Sequence, residues 1–118
     1  MVSIPHHTKV AKITGNYRWV QGAHFNHEYY EGKHASLTWQ LLRPLGLLRF
    51  ECDRVLLSGE AVPGAIIATS SAYFSSLAAA QAAAAAAGRQ LATDIPAYTS
   101  IRPELHLSEV WVSSPSDA

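Results

Sequence analysis

The chain has one cysteine, one methionine and no excess of either charge. A lone Cys52 cannot close an internal disulfide, and the opening residues Met1 to His7 lack the basic-then-apolar order of a secretory leader, so a reducing, cytoplasmic setting is expected. Nine basic residues offset nine acidic ones, and the isoelectric point is about 7.0. There is thus no electrostatic footprint for nucleic acid or for an anionic membrane surface. No apolar run approaches the roughly 20 residues that cross a bilayer. The glycines Gly59 and Gly64 flank a proline in a loop and do not open a helix after a strand, so no flavin or nicotinamide cofactor is implied. At 118 residues the chain fits one domain, 8–112, with flexible termini at 1–7 and 113–118.

Residues 10–20 mix β-branched, aromatic and polar side chains around Gly15 and read as a first strand with an irregularity. Asn26 is a good helix N-cap, Glu28 suits the first turn, and Pro44 stops the helix that runs from about His27 to Arg43. Residues 48–56 alternate Leu48, Phe50 and Cys52 with Arg49, Glu51 and Asp53, a strand with one apolar and one polar side. A Gly- and Pro-containing loop at 58–64 leads to an apolar third strand at 65–74. The run 76–88 is nearly all alanine and predicts a helix capped by Ser75 or Ser76 and closed by Gly88. Asp94-Ile95-Pro96 marks a turn before a last strand at 100–111.

The order β-α-β-β-α-β is the split βαβ, or ferredoxin-like, α+β plan, with both helices on one face of an antiparallel sheet. Apolar residues at both parities of the strands predict that the open face needs a cover, and a homodimer supplies it.

At about 100° per residue, His27, Tyr30, His34, Thr38 and Leu41 fall along one stripe of the first helix, with Tyr29 and Lys33 on the opposite side. An imidazole titrates near neutrality and can take or give a proton, which makes His34 the first candidate for a general acid or base. The alternative is a core imidazole that only fixes helix packing. Tyr30 is a candidate for orienting that ring or donating to a substrate oxygen, against the commoner reading of an inner-face aromatic as packing. His27 is either a second site residue or a solvated first-turn residue. It lies about 10 Å along the helix from His34, too far to share one ion without other ligands, and no metal is expected. On the last strand Arg102, Glu104, His106 and Ser108 share one parity, which is a solvent edge or a substrate-facing row in which His106 or Arg102 binds a polar group. Cys52 has no sequence partner that marks a nucleophile.

The string Phe25-Asn26-His27-Glu28-Tyr29-Tyr30-Glu31-Gly32-Lys33-His34, with Leu37 a turn later, resembles the first-helix signature of the EthD-like family. Leu45-Gly46 with Glu51, Asp53 and Arg54 resembles its second strand, and Ala72-Tyr73-Phe74-Ser75-Ser76-Leu77 its third strand entering the second helix. Asp94-Ile95-Pro96-Ala97-Tyr98-Thr99 with Ile101, Pro103 and Ser108-Glu109-Val110 resembles its C-terminal region. The match runs in order over roughly residues 8–111. It implies a dimeric α/β barrel and a place in the oxidative degradation of a hydrophobic organic compound, of ether-xenobiotic or aromatic polyketide type. Thr69, Ser70 and Ser71 stand where many relatives have a histidine, which puts a two-histidine mechanism in doubt.

Two functions follow from these residues. One is a cofactor-free enzyme on a small hydrophobic ligand, with His34 as acid or base and Tyr30 in support. The other is a non-catalytic accessory or ligand carrier for a monooxygenase system.

Overall fold

The computed structural model describes residues 9–56, 62–113 and 115. The expected flexible terminus at 1–7, residues 58–61 of the expected loop, and residues 114 and 116–118 of the tail lie outside it. The strands are β1 (Lys9–Arg18), β2 (Arg49–Arg54), β3 (Ile66–Phe74) and β4 (Glu104–Trp111). They form one antiparallel sheet in the order β2-β3-β1-β4, with the helices packed on one face, so the ferredoxin-like α+β plan holds.

The first helix starts where its sequence says it should. Asn26 Oδ1 accepts the Tyr29 N–H at 3.0 Å, satisfying an orphan donor of the first turn. It is not a uniform α-helix, however. An α-helical turn His27–Tyr29 passes into a π-helical stretch Tyr30–His34 and then into α-helix Ala35–Leu42. A short 3₁₀ turn, Arg43–Leu45, ends at Gly46, whose φ of 102° is the left-handed conformation that glycine adopts without strain.

The second helix, Leu77–Asp94, is capped by Ser76, whose hydroxyl accepts the Ala79 N–H at 3.0 Å. It does not close at Gly88 as the sequence suggested, but runs on for six residues. Helix formers follow Gly88, Leu91 packs on the core, and the stop is supplied by Pro96 instead. Ala80, Ala83 and Ala87 are buried against Ala11, Ala72 and Phe74 of the sheet, beside Leu42 and Leu47. A helix faced with methyl groups sits close to the sheet while burying little apolar area per residue.

β4 begins at Glu104, later than expected, because residues 98–101 pair elsewhere. Phe25 and Thr99 form a β-bridge, Asn26 N–H donates to the Tyr98 carbonyl at 2.7 Å, and the Thr99 hydroxyl donates to the His24 carbonyl at 2.7 Å. This lacing ties the entry of the first helix to the segment after the second.

The open face of the sheet corrects the expectation of apolar residues at both parities. By strand alternation it carries Lys12, Thr14 and Asn16 of β1, Arg49, Glu51 and Asp53 of β2, and Thr69, Ser71 and Tyr73 of β3. The Tyr73 hydroxyl donates to Glu51 at 2.9 Å, Arg49 pairs with the same carboxylate, and Thr69 donates to Asn16 at 3.2 Å. The apolar surface left uncovered lies instead on the helix side of the edge strand β4, where Leu105 is 71% exposed and Trp111 57%.

Gly15 is opposite Ser70 on β3 and Leu105 on β4. A Cβ at Gly15 falls 2.9 Å from Ser70 Oγ, closer than side chains approach one another. We expect Gly15→Ala to lower the urea unfolding free energy by about 1–3 kcal/mol, the range of overpacking, and Ser70→Ala in that background to recover most of the loss. A Gly15→Ala protein as stable as the parent would contradict this packing.

Candidate functional site

The π-helical stretch decides which side chains of the first helix meet. In a regular α-helix Tyr29 and His34 are separated by about 140° around the axis, and the sequence accordingly places them on different sides. Hydrogen bonding from i to i+5 spreads the turn over more residues and swings the two toward one another. Both reach the same carboxylate. The Tyr29 hydroxyl donates to Asp94 Oδ1 at 2.9 Å, and His34 Nδ1 bonds Asp94 Oδ2 at 2.9 Å.

Asp94 is the last residue of the second helix, and it is reached only because that helix continues past Gly88. An ionised Asp94 accepts and does not donate, so His34 Nδ1 carries the hydrogen and the neutral ring presents its lone pair at Nε2. The Tyr98 hydroxyl lies 3.4 Å from Nε2 and is hydrogen-bonded to the Tyr17 hydroxyl. The consistent donor order is Tyr17 to Tyr98 to His34 to Asp94, with Tyr29 donating to Asp94 from the other side. The His34 side chain is 9% exposed, and Thr38 donates to the His34 carbonyl at 2.8 Å.

Behind this row, Tyr17, Phe25, Tyr30 and Tyr98 pack edge to face or tilted, with centroids 5.0–5.6 Å apart for the Phe25–Tyr30, Tyr17–Phe25, Tyr30–Tyr98, Tyr17–Tyr30 and Phe25–Tyr98 pairs. Each such pair is worth about 0.5–1.5 kcal/mol beyond area burial. Tyr30 stacks on His34 at 6.0 Å with its ring fully buried. Its hydroxyl makes no well-formed hydrogen bond, although Ser70 and Cys52 are its neighbours.

His34 and Tyr17 line a cavity of about 160 Å³ between the sheet and the two helices. Ile13, Leu42, Phe50, Leu91 and Leu105 make much of the remaining wall, and Ser70 lies beside Gly15 on its floor. The arrangement is a mostly apolar chamber with an imidazole and one phenol, Tyr17, in its wall, suited to proton transfer on a ligand that is otherwise hydrophobic.

The candidates named from the sequence therefore separate in space. His34 lines the cavity, and Tyr30 backs it. His27 packs its ring on Phe25 at 4.5 Å, half-buried and outside the cavity wall. His106 is exposed opposite Thr14, on the sheet face away from the helices. Arg102 is exposed in a separate groove with Arg18, Val20 and Glu104. Sequence reasoning missed Asp94, Tyr98, Tyr17 and Tyr29. The one available signal was Asp94 itself, an acid late in a helical run where the helix dipole disfavours it. Among the described residues no three of His, Cys, Asp and Glu converge as metal ligands, and no helix is long and apolar enough to cross a membrane.

The solved structure of an EthD-like protein from Ralstonia eutropha JMP134 matches with a TM-score of 0.75 at 26% identity, over 92% of this chain and 98% of that one. The chain is similar to EthD-like proteins. An ethyl tert-butyl ether degradation (EthD) family protein from Bacillus halodurans C-125 matches with a TM-score of 0.58 at 16% identity, over 86% of this chain and 98% of that one. SnoaB from Streptomyces nogalater, a cofactor-independent oxygenase whose structure was solved as a mutant, matches with a TM-score of 0.63 at 16% identity, over 92% of this chain and 98% of that one. These two likenesses show the shared fold. No family model matches the sequence of this EthD-like chain, and no curated protein does, so structural likeness carries the assignment.

Burial pushes the Tyr17 phenol up to about 12 and holds Tyr30 and Tyr98 well above the ordinary phenol range. Burial likewise pushes the Cys52 thiol up to about 11, with the Glu31 charge adding, which makes it a poor nucleophile. Tyr17 and Tyr98 thus stay protonated and serve as hydrogen-bond donors. Because the folded chain keeps protons that the unfolded chain releases near pH 10, stability is full below about pH 10 and is lost as pH climbs toward about 12. We expect the urea midpoint to fall over that window, with tyrosinate absorbance from this trio rising only as the protein unfolds. Ordinary titration of all five tyrosines in the folded protein would contradict it.

Proposed function

We propose that this EthD-like protein is a cofactor-free enzyme that moves a proton on a small, mostly hydrophobic organic compound, with His34 as the acid or base. The observation that carries the reading is the Asp94–His34 pair set at the polar end of an apolar cavity. Asp94 fixes the tautomer, and Nε2 is left as the base. Its contact to Tyr98 at 3.4 Å is long for a hydrogen bond and can yield to a substrate. A phenol that stays protonated can donate to a carbonyl oxygen as charge develops there. Tyr30 supports the imidazole from behind by stacking.

A role in oxidative degradation, of ethers or of aromatic compounds, belongs to this proposal and draws on the likeness to the Ralstonia eutropha protein. SnoaB, on the same fold, is a precedent for chemistry without a cofactor. The homodimer is likewise proposed. The uncovered Leu105, Leu107 and Trp111 on β4 are apolar surface that a second copy can cover, and sedimentation is the direct check. His27, His106 and Arg102 take part in substrate binding only if a second subunit or another element brings them to a ligand.

The test is solvent deuterium exchange α to the carbonyl of small aromatic ketones, followed by NMR. We expect the parent protein to accelerate exchange, His34→Gln to abolish the acceleration, and Asp94→Asn to lower it by about 10²–10⁴ with substrate affinity little changed. Exchange by His34→Gln at the parent rate would overturn the assignment. A parent protein that binds these ketones but exchanges them no faster than buffer would favour the carrier.

A further inference from the structure

The dimensions and polarity of the cavity narrow what it accepts. Its volume is about 160 Å³, and an apolar cavity of about 150 Å³ accommodates one benzene ring. A second fused ring overfills that space. The room exists because the second helix presents Ala83, Ala84, Gly88 and Ala92 to it where longer side chains would close it. A Cβ at Gly88 would meet nothing within 4 Å.

The polar side chains of the wall are few. His34, with its Nε2 lone pair, lines it with Tyr17, Thr38 and Ser70, while Ile13, Phe50, Leu91 and Leu105 offer only hydrocarbon. A ligand hydroxyl placed there can donate to Nε2 in place of the long Tyr98 contact; the Tyr98 hydroxyl, released from Nε2, then donates to Tyr17, which frees the Tyr17 hydrogen for the ligand oxygen. A hydrocarbon ligand leaves Nε2 with that long contact alone. We infer that the cavity is a site for single-ring phenols, taken with the hydroxyl against His34 and the ring under the alanine helix. This rests on the reading of the cavity as the substrate site, and names the ligand class for it.

Isothermal titration of the full chain with phenol, toluene and 1-naphthol separates the possibilities. Phenol is expected to bind at least about tenfold more tightly than either of the others. His34→Gln should reduce that preference over toluene. Gly88→Leu, which replaces a helix-interior glycine and fills the cavity from its wall, should keep the folded state and weaken phenol binding at least about tenfold. Toluene binding as tightly as phenol would overturn the role given to the hydroxyl, and 1-naphthol binding as tightly would overturn the single-ring limit. No measurable phenol binding, or undiminished binding by Gly88→Leu, would overturn the site itself. Phenol binding as expected in a protein that fails the exchange assay would leave this inference standing and remove the enzyme reading.

Discussion

A carboxylate on the last residue of a helix faces the negative end of the helix dipole, an arrangement that costs about 0.3–1 kcal/mol. Asp94 holds that position half-buried, and two donors from the other helix offset the cost. Hydrogen bonds to a charged group contribute about 1.5–3 kcal/mol each, so the Tyr29 and His34 contacts outweigh the dipole term. The same pair of bonds joins the two helices, fixes the imidazole tautomer and leaves Nε2 on the side away from Asp94. The π-helical stretch makes this possible, since a regular helix would carry Tyr29 away from the carboxylate that His34 reaches.

The opposite wall of the site is held by different means. Four aromatic rings pack between the first helix, β1 and the segment after the second helix, and that segment is laced by backbone and hydroxyl bonds to residues 24–26. Tyr98 is thereby fixed on the Nε2 side while Asp94 is fixed on the Nδ1 side, only four residues apart along the chain. The 3₁₀ turn Ile95–Ala97 separates them by the needed distance. The alanine helix contributes little buried area per residue, so it defines the size of the chamber more than it supplies stability.

The order of elements was legible because each carries a local signal: Asn26 and Ser76 as caps, Pro44 as a stop, and the two-residue alternation of β2. His34 was legible as an inward-facing imidazole. Its partners were not, because nothing within a few residues of Asp94 or Tyr98 announces a contact sixty residues back along the chain. Reading Gly88 as a helix end also places Asp94 in a turn, which hides the one local anomaly that marks it. A stripe drawn at the α-helical period puts Tyr29 on the wrong side, because the chain departs from that period at Tyr30. The open face misleads for a related reason. Among the described strands, apolar residues of the second parity are Val10, Ile67 and Val110, set toward strand ends, while the middle of that face is a network of charges and hydroxyls.

The cost of the buried polar row bears on which function the fold serves. A module that only holds a hydrophobic ligand needs apolar surface, and a satisfied Asp–His–Tyr–Tyr network adds nothing to that which well-packed hydrocarbon would not supply at least as cheaply. Such a network does two things that hydrocarbon cannot. It commits one nitrogen of an imidazole to accept a proton, and it stations hydroxyls that stay protonated beside that nitrogen. With its side chain only 9% exposed and mostly hydrocarbon across from it, His34 acts with reduced screening by water. A ligand whose oxygen reaches His34 leaves its ring against hydrocarbon, so the apolar wall orients the ligand and the row performs the chemistry.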